Sequence, residues 1–213
     1  MTDITIIGSG NMGRGIGTRA VAAGRSVQVL DKSAEEAQKL AGELGSGATG
    51  AASTEAPAGR IVVLALPFDA AKEVVSGYGD ALDGRIIIDI SNPVNYETFD
   101  SLVVGPGTSA AEEIAKLAPS GATVVKAFNT TFAGTLVAGE VAGEPLDVFI
   151  ASDSEDARNE VADFVTAAGL RPLQVGGLHH ARELEGFQLL LMALQANPAY
   201  ESFNWGTALK ILG

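Results

Sequence analysis

Short runs of β-branched and aliphatic residues recur along the chain between stretches with helical periodicity, and this alternation restricts the fold more than any other feature. The runs are ITIIG (4–8), SVQVL (26–30), RIVVLAL (60–66), RIIIDI (85–90), ATVVKAF (122–128), LDVFIAS (146–152) and RPLQV (171–175). Strands that are apolar almost throughout are buried on both faces, as in a parallel sheet covered above and below by helices. Helices are expected near 11–23, 34–44, 68–77, 109–118 and 154–168, which places the chain in the α/β class as a doubly wound, mostly parallel sheet. A weak extra strand around GATGA (47–51) completes the usual order, although glycine and alanine give it little propensity.

Helix ends are readable. Ser33 before AEEAQKLAGEL and Ser152 or Asp153 before SEDARNEVADFVTAAG are expected N-caps, with acidic residues in the first turn and glycine at the far end. A last helix, 179–195, carries Leu184, Phe187, Leu190, Leu191 and Leu194 on one stripe, which is expected to be buried against the sheet domain or a second subunit. The tail NPAYESFNWGTALKILG holds the single Trp and is expected to pack. The division is thus a dinucleotide-binding domain over 1–178 and a C-terminal helix and tail, for packing or dimerisation, over 179–213.

The first strand breaks into Gly8, Ser9, Gly10, Asn11, Met12 and Gly13, a G-x-G-x-x-G loop opening the first helix. In a dinucleotide fold the first glycine permits the tight turn, the second lets a pyrophosphate approach, and the third lets helix and strand pack. The free N–H groups at the helix start then hold the anion. Glycines serving only turn and packing are the alternative. Gly15 and Gly17 read as helix-packing residues. Asp31 ends the second strand, where an acidic residue grips the adenosine ribose of NAD. A 2′-phosphate some 5 Å from it would suffer repulsion on the order of a few kcal/mol at an effective dielectric near 20. Lys32 and Ser33 could offset this with a cation and a hydroxyl, or could be an exposed loop residue and a helix cap.

Ligands in such sheets bind outside the carboxyl ends of the strands, at the switch in strand order. Three stretches end there: LALPFD with Leu66 and Pro67, DISNPVN with Ser91, Asn92 and Pro93, and KAFNTT with Phe128, Asn129 and Thr130. Ordinary turn chemistry is the alternative for each. His179-His180 could polarise a carbonyl on a second ligand or form an exposed pair at a helix end. The net charge of −12 argues against a nucleic-acid partner. Without cysteine, thiolate nucleophiles and Cys-ligated metals are excluded. No apolar run approaches a membrane span, and the N-terminus carries no secretory pattern, so a cytoplasmic setting is expected.

The stretches IIGSGNMGRGIGTRAVAAG, VVLALPFDA, IIIDISNPVN and VVKAFNTTFAGTL together resemble the coenzyme F-420-dependent NADP oxidoreductases, F-420 being a 5-deazaflavin; mammalian metalloreductases with an oxidoreductase domain of this kind are similar too. The resemblance implies a Rossmann domain, a small C-terminal portion, dimerisation, and hydride transfer between NADP(H) and a deazaflavin or flavin. It assigns Ser9 to Met12 to the dinucleotide loop and the Leu66-Pro67, Asn92-Pro93 and Phe128-Asn129 edges to the nicotinamide and second-ring pocket. The archaeal enzymes have a Ser-Arg pair where this chain has Asp31-Lys32, which leaves NAD open as the coenzyme. No catalytic acid or base is expected, because the two cofactors carry the chemistry. GSGNMG is also similar to pyrroline carboxylate reductases, which keeps a small imine or carbonyl reductase as an alternative, beside a non-catalytic dinucleotide sensor.

Overall fold

The computed structural model describes residues 2–212. The chain runs β1 (Ile4–Ile7), α1 (Asn11–Ala22), β2 (Val27–Asp31), α2 (Ala34–Leu44), β3 (Thr49–Ala52), β4 (Ile61–Leu64), α3 (Phe68–Tyr78) and β5 (Ile86–Asp89). It continues through α4 (Ala110–Ala115), β6 (Thr123–Lys126), α5 (Ala133–Ala138), a hairpin of β7 (Glu140–Val141) and β8 (Glu144–Pro145), then β9 (Asp147–Ala151), α6 (Glu155–Ala167), β10 (Arg171–Gly176) and α7 (Ala181–Ala196). Eight strands form one sheet in the order β10-β9-β6-β5-β4-β1-β2-β3. From β3 to β6 every pairing is parallel, giving the order 3-2-1-4-5-6 of a doubly wound nucleotide-binding sheet, with its switch between β1 and β4. β9 joins β6 antiparallel, and β10 pairs parallel with β9.

Both sheet faces are buried, as the apolar runs require. Ile4, Ile6, Val29, Val63, Ile88 and Val125 pack on one side. Their strand neighbours Ile7, Leu30, Val62, Leu64, Ile87 and Val124 pack on the other. The weak strand exists as β3 for a local reason: a side chain at Gly50 would run into the backbone of Ala37, so α2 lies directly on a strand that cannot carry bulk. Two expectations need correction. The cap of α6 is Ser154, whose hydroxyl accepts from the Ala157 N–H at 3.2 Å; Asp153 instead accepts the Leu178 N–H, and Ser152 donates to the Val124 carbonyl. Helix α5 was not foreseen. Its six residues pack on α1 at Gly15, where a Cβ would press on Leu136, while a Cβ at Gly17 would press on Leu44 of α2.

The C-terminal helix does not bury its apolar stripe on the sheet domain. A 3-10 turn over 178–180 leads into α7, whose inward side is Ala181, Leu184, Glu185, Gln188 and Gln195. Of the expected apolar stripe only Leu184 is buried, while Phe187, Leu190 and Leu194 are 41%, 61% and 37% exposed. Polar anchors explain the rotation: Glu185 accepts the Ala110 N–H at the start of α4 (2.9 Å), and Arg182 pairs with Glu112. The tail is irregular but tied down. Asp147 accepts from the Ile211 N–H and from Lys210, and the Trp205 N–H donates to the Gln195 side chain at 3.0 Å.

Candidate active site

The glycine loop divides three steric roles among its glycines. At Gly8, with φ +110°, a Cβ would overlap the Ala65 carbonyl, so β1 turns sharply against the end of β4. At Gly13 a Cβ would overlap the Gly8 carbonyl, so α1 seats directly on the turn it follows. Gly10 alone of the three faces open space, with no atom within 4 Å of a Cβ placed there. It is also the residue immediately before α1, where the first helical N–H groups have no intrahelical partner. The arrangement exposes bare backbone at one point and uses the flanking glycines to hold it there.

Asp31 is built into this loop. Its Oδ2 accepts from both the Ser9 N–H (2.8 Å) and the Ser9 hydroxyl (2.7 Å), and its Oδ1 accepts the Ser33 N–H at 3.0 Å. Burial pushes the carboxyl up, but these bonds and the neighbouring Lys32 outweigh it and hold its pKa below the ordinary aspartate value. Ser33 caps α2 by accepting the Glu36 N–H, and Lys32 is exposed.

A cavity of about 730 Å³ opens beside Gly10, Asn11 and Met12, within the size range of small-molecule sites. Leu66 and Pro67 bound it from the end of β4, and Ser91 and Asn92 from beyond β5. Gln188 and Met192 of α7 and Trp205 of the tail complete its wall, with Phe132 beside Trp205 at 5.4 Å between ring centroids. Three expected ring-site residues lie elsewhere or serve differently. Phe128 has φ +63°, which turns its ring into the core against Phe164 while its neighbour Asn129 reaches the cavity. Thr130 is buried off the cavity and Thr131 lines it instead. Pro93 is buried away from it, its carbonyl accepting the Val103 N–H. Gly8 and Gly13 act as supports. His179 and His180 pack on one another outside the cavity, with His180 near Glu183.

Under the cavity wall lies a cluster the sequence reading missed. Lys126, fully buried, donates to Asp89 (2.8 Å), to Glu185 (2.7 Å) and to the Ser91 carbonyl (2.5 Å). Burial disfavours the ammonium, yet the attraction of two carboxylates outweighs it and raises the Lys126 pKa. Glu185 is pushed up by burial in spite of Lys126, because one cation is shared between two anions. The signal was a Lys inside the apolar run VVKAF and an Asp inside IIIDI, both costly in a buried sheet unless paired.

The wall also holds polar atoms without protein partners. Among the described residues these are Ser91 Oγ, Asn129 Oδ1 and both side-chain polar atoms of Gln188, besides Arg19 Nε away from the site. Each such atom costs about 1–3 kcal/mol when buried unmade, so their gathering at one cavity favours a ligand that satisfies them.

The family of NADP oxidoreductases described as coenzyme F-420-dependent matches over residues 3–93. The metalloreductase STEAP3 of Rattus norvegicus is 34% identical over 89% of this chain, which spans only 37% of that protein's length. The F-420-dependent NADP reductase of Methanothermobacter thermautotrophicus is 31% identical over 207 residues, 88% of this chain and 86% of the relative. A solved structure from an Arthrobacter species superposes with a TM-score of 0.80 at 23% identity, covering 92% of this chain and 94% of that one, which supports the fold. With the glycine loop, the strand order and a near full-length relative in agreement, the chain belongs to the coenzyme F-420-dependent NADP oxidoreductase family.

Proposed function

We propose that this chain transfers hydride between NADP(H) and a deazaflavin such as coenzyme F-420, or a flavin. The observation that carries the reading is the cavity running without a break from the bare backbone of Gly10 to Gln188 and Trp205, which offers space for a second ring beyond the coenzyme. The two cofactors supply the hydride chemistry; the protein's part is to bind, to orient the rings and to exclude water. Loss of NADPH absorbance on mixing purified protein with NADPH and F-420 is the test. No change, while another acceptor turns over, removes the deazaflavin; tight NADPH binding with no acceptor oxidising it favours a sensor.

NADP is the proposed coenzyme in preference to NAD. Asp31 is engaged with Ser9 and Ser33, and the exposed Lys32 stands beside it as the cation for a 2′-phosphate. We further propose a homodimer formed through Phe187, Leu190 and Leu194, an apolar stripe that one protomer leaves in water. No described helix is long and apolar enough to cross a membrane, and a cytoplasmic setting is part of the proposal.

A further inference from the structure

We propose that Gln188, with Asn129, reads the polar edge of the hydride acceptor, so that the site selects planar heteroaromatic rings whose edge carries adjacent N–H and C=O groups, as in a lactam or imide. The inference rests on the oxidoreductase reading above and adds the determinant of acceptor choice.

The donor and acceptor pattern of the wall is fixed by its neighbours. The Asn129 amide nitrogen donates to the Asn92 side-chain oxygen (3.0 Å) and to the Leu184 carbonyl (3.2 Å), while Asn92 donates back to the Asn129 carbonyl (3.0 Å). A flipped Asn129 would set its oxygen against two acceptors, so the orientation is determined and Oδ1 remains as a bare acceptor. That atom calls for an N–H on the ligand. Gln188 adds one unpartnered donor and one unpartnered acceptor, and Ser91 Oγ can serve as either. Together they match an edge on which N–H and C=O alternate, and a quinone cannot supply the N–H.

Gln188 is held at this point by its own helix. Glu185, one turn earlier on the same face of α7, is bonded to Lys126 and to the start of α4. The helix therefore cannot rotate to release the amide into water, and Gln188 remains fully buried without a partner. Trp205 and Phe132 give the same cavity an aromatic wall suited to a flat ring. Since Trp205 is the chain's single tryptophan, its emission reports ligands entering this part of the cavity.

The test compares wild type with Gln188→Met, which keeps the side chain's shape and removes both polar atoms. Steady-state rates are measured with NADPH against F-420 and against menadione, a planar acceptor without a lactam. Trp205 emission is titrated with F-420 alone. The expected result is a rise of about tenfold or more in KM and Kd for F-420, the loss of roughly one good hydrogen bond. KM for NADPH should stay within about twofold, kcat/KM for menadione should fall by much less than that for F-420, and the thermal midpoint of the ligand-free variant should not fall, because the buried amide had no partner to lose. An unchanged F-420 Kd, an equal loss with both acceptors, or a rise confined to NADPH would overturn the assignment. F-420 binding that weakens in the variant without turnover in either protein would overturn the activity and leave this recognition standing.

Discussion

Replacing Lys126 by methionine removes the cation between two carboxylates while keeping the length of the side chain. Asp89 and Glu185 lose partners at 2.8 and 2.7 Å in a place with no solvent access. Breaking a buried pair from one side costs about 3–5 kcal/mol, because the remaining charge is stranded. With an unfolding entropy of roughly 2.1 cal/mol/K per residue, 213 residues give about 0.45 kcal/mol/K, so the melting midpoint should fall by roughly 7–11 °C. The loss should depend on pH in a defined direction. Burial already sets the Glu185 pKa above its ordinary 4.5, and without Lys126 it rises further. A carboxyl raised in the folded state binds more protons there than in the unfolded chain. The variant's stability therefore falls as pH climbs from about 4.5 through the folded value, and its deficit against wild type should be larger at pH 8 than at pH 5. Circular dichroism melts at equal protein concentration measure both quantities. Adding Glu185→Gln to the variant should recover part of the loss by removing one stranded charge. A drop of less than about 2 °C, equal at both pH values, would refute the reasoning, since it would mean that the three groups are hydrated rather than mutually dependent.

Gly10→Ala should melt within about 2 °C of wild type yet lose at least about tenfold in NADPH affinity by calorimetry, because its Cβ enters the open space where the diphosphate is proposed to lie; Gly13→Ala should lose both, its Cβ overlapping the Gly8 carbonyl. Asp31→Ala should weaken NADH and NADPH together by releasing Ser9, and NADH more, so that the NADP preference rises; an unchanged ratio of dissociation constants would exclude Asp31 from coenzyme choice. Leu190→Glu, charged on a residue 61% exposed in the protomer, should leave the melting behaviour of the fold intact and halve the particle mass in light scattering at micromolar concentration.

The sheet was legible because burial on both faces writes itself into short stretches, as at IIID in β5 and IVVL in β4, and the glycine loop was legible because its three roles fall within six residues. What sequence could not display is separation in the chain. Lys126 meets Asp89 across 37 positions and Glu185 across 59, and no local pattern encodes either pairing. Periodicity marked a face of α7 correctly as apolar but not what it would face: Glu185 and Gln188 turn inward since the former has partners there, and Phe187, Leu190 and Leu194 are left outside the protomer. Phe128 misled for a backbone reason, because its left-handed φ reverses which of two neighbouring side chains reaches the cavity. Gly50 left β3 only a faint expectation, by lowering the propensity of a strand that needs a glycine for α2 to lie upon it.

The antiparallel junction between β6 and β9 has a bearing on how the molecule breathes. A single paired position, Lys126 with Ala151, joins the β9-α6-β10 unit to the six-stranded parallel core, buttressed by the Ser152 hydroxyl on the Val124 carbonyl. Side chains carry the rest of the joint: Phe164 of α6 packs on Phe128, and Val148, Ile150 and Val161 share one core with Ile88 and Val125, so this unit should open together with β5 and β6 and their amides should exchange with deuterium as one block. Lys126 sits at that seam, which ties the opening of this block to the charge balance behind the cavity.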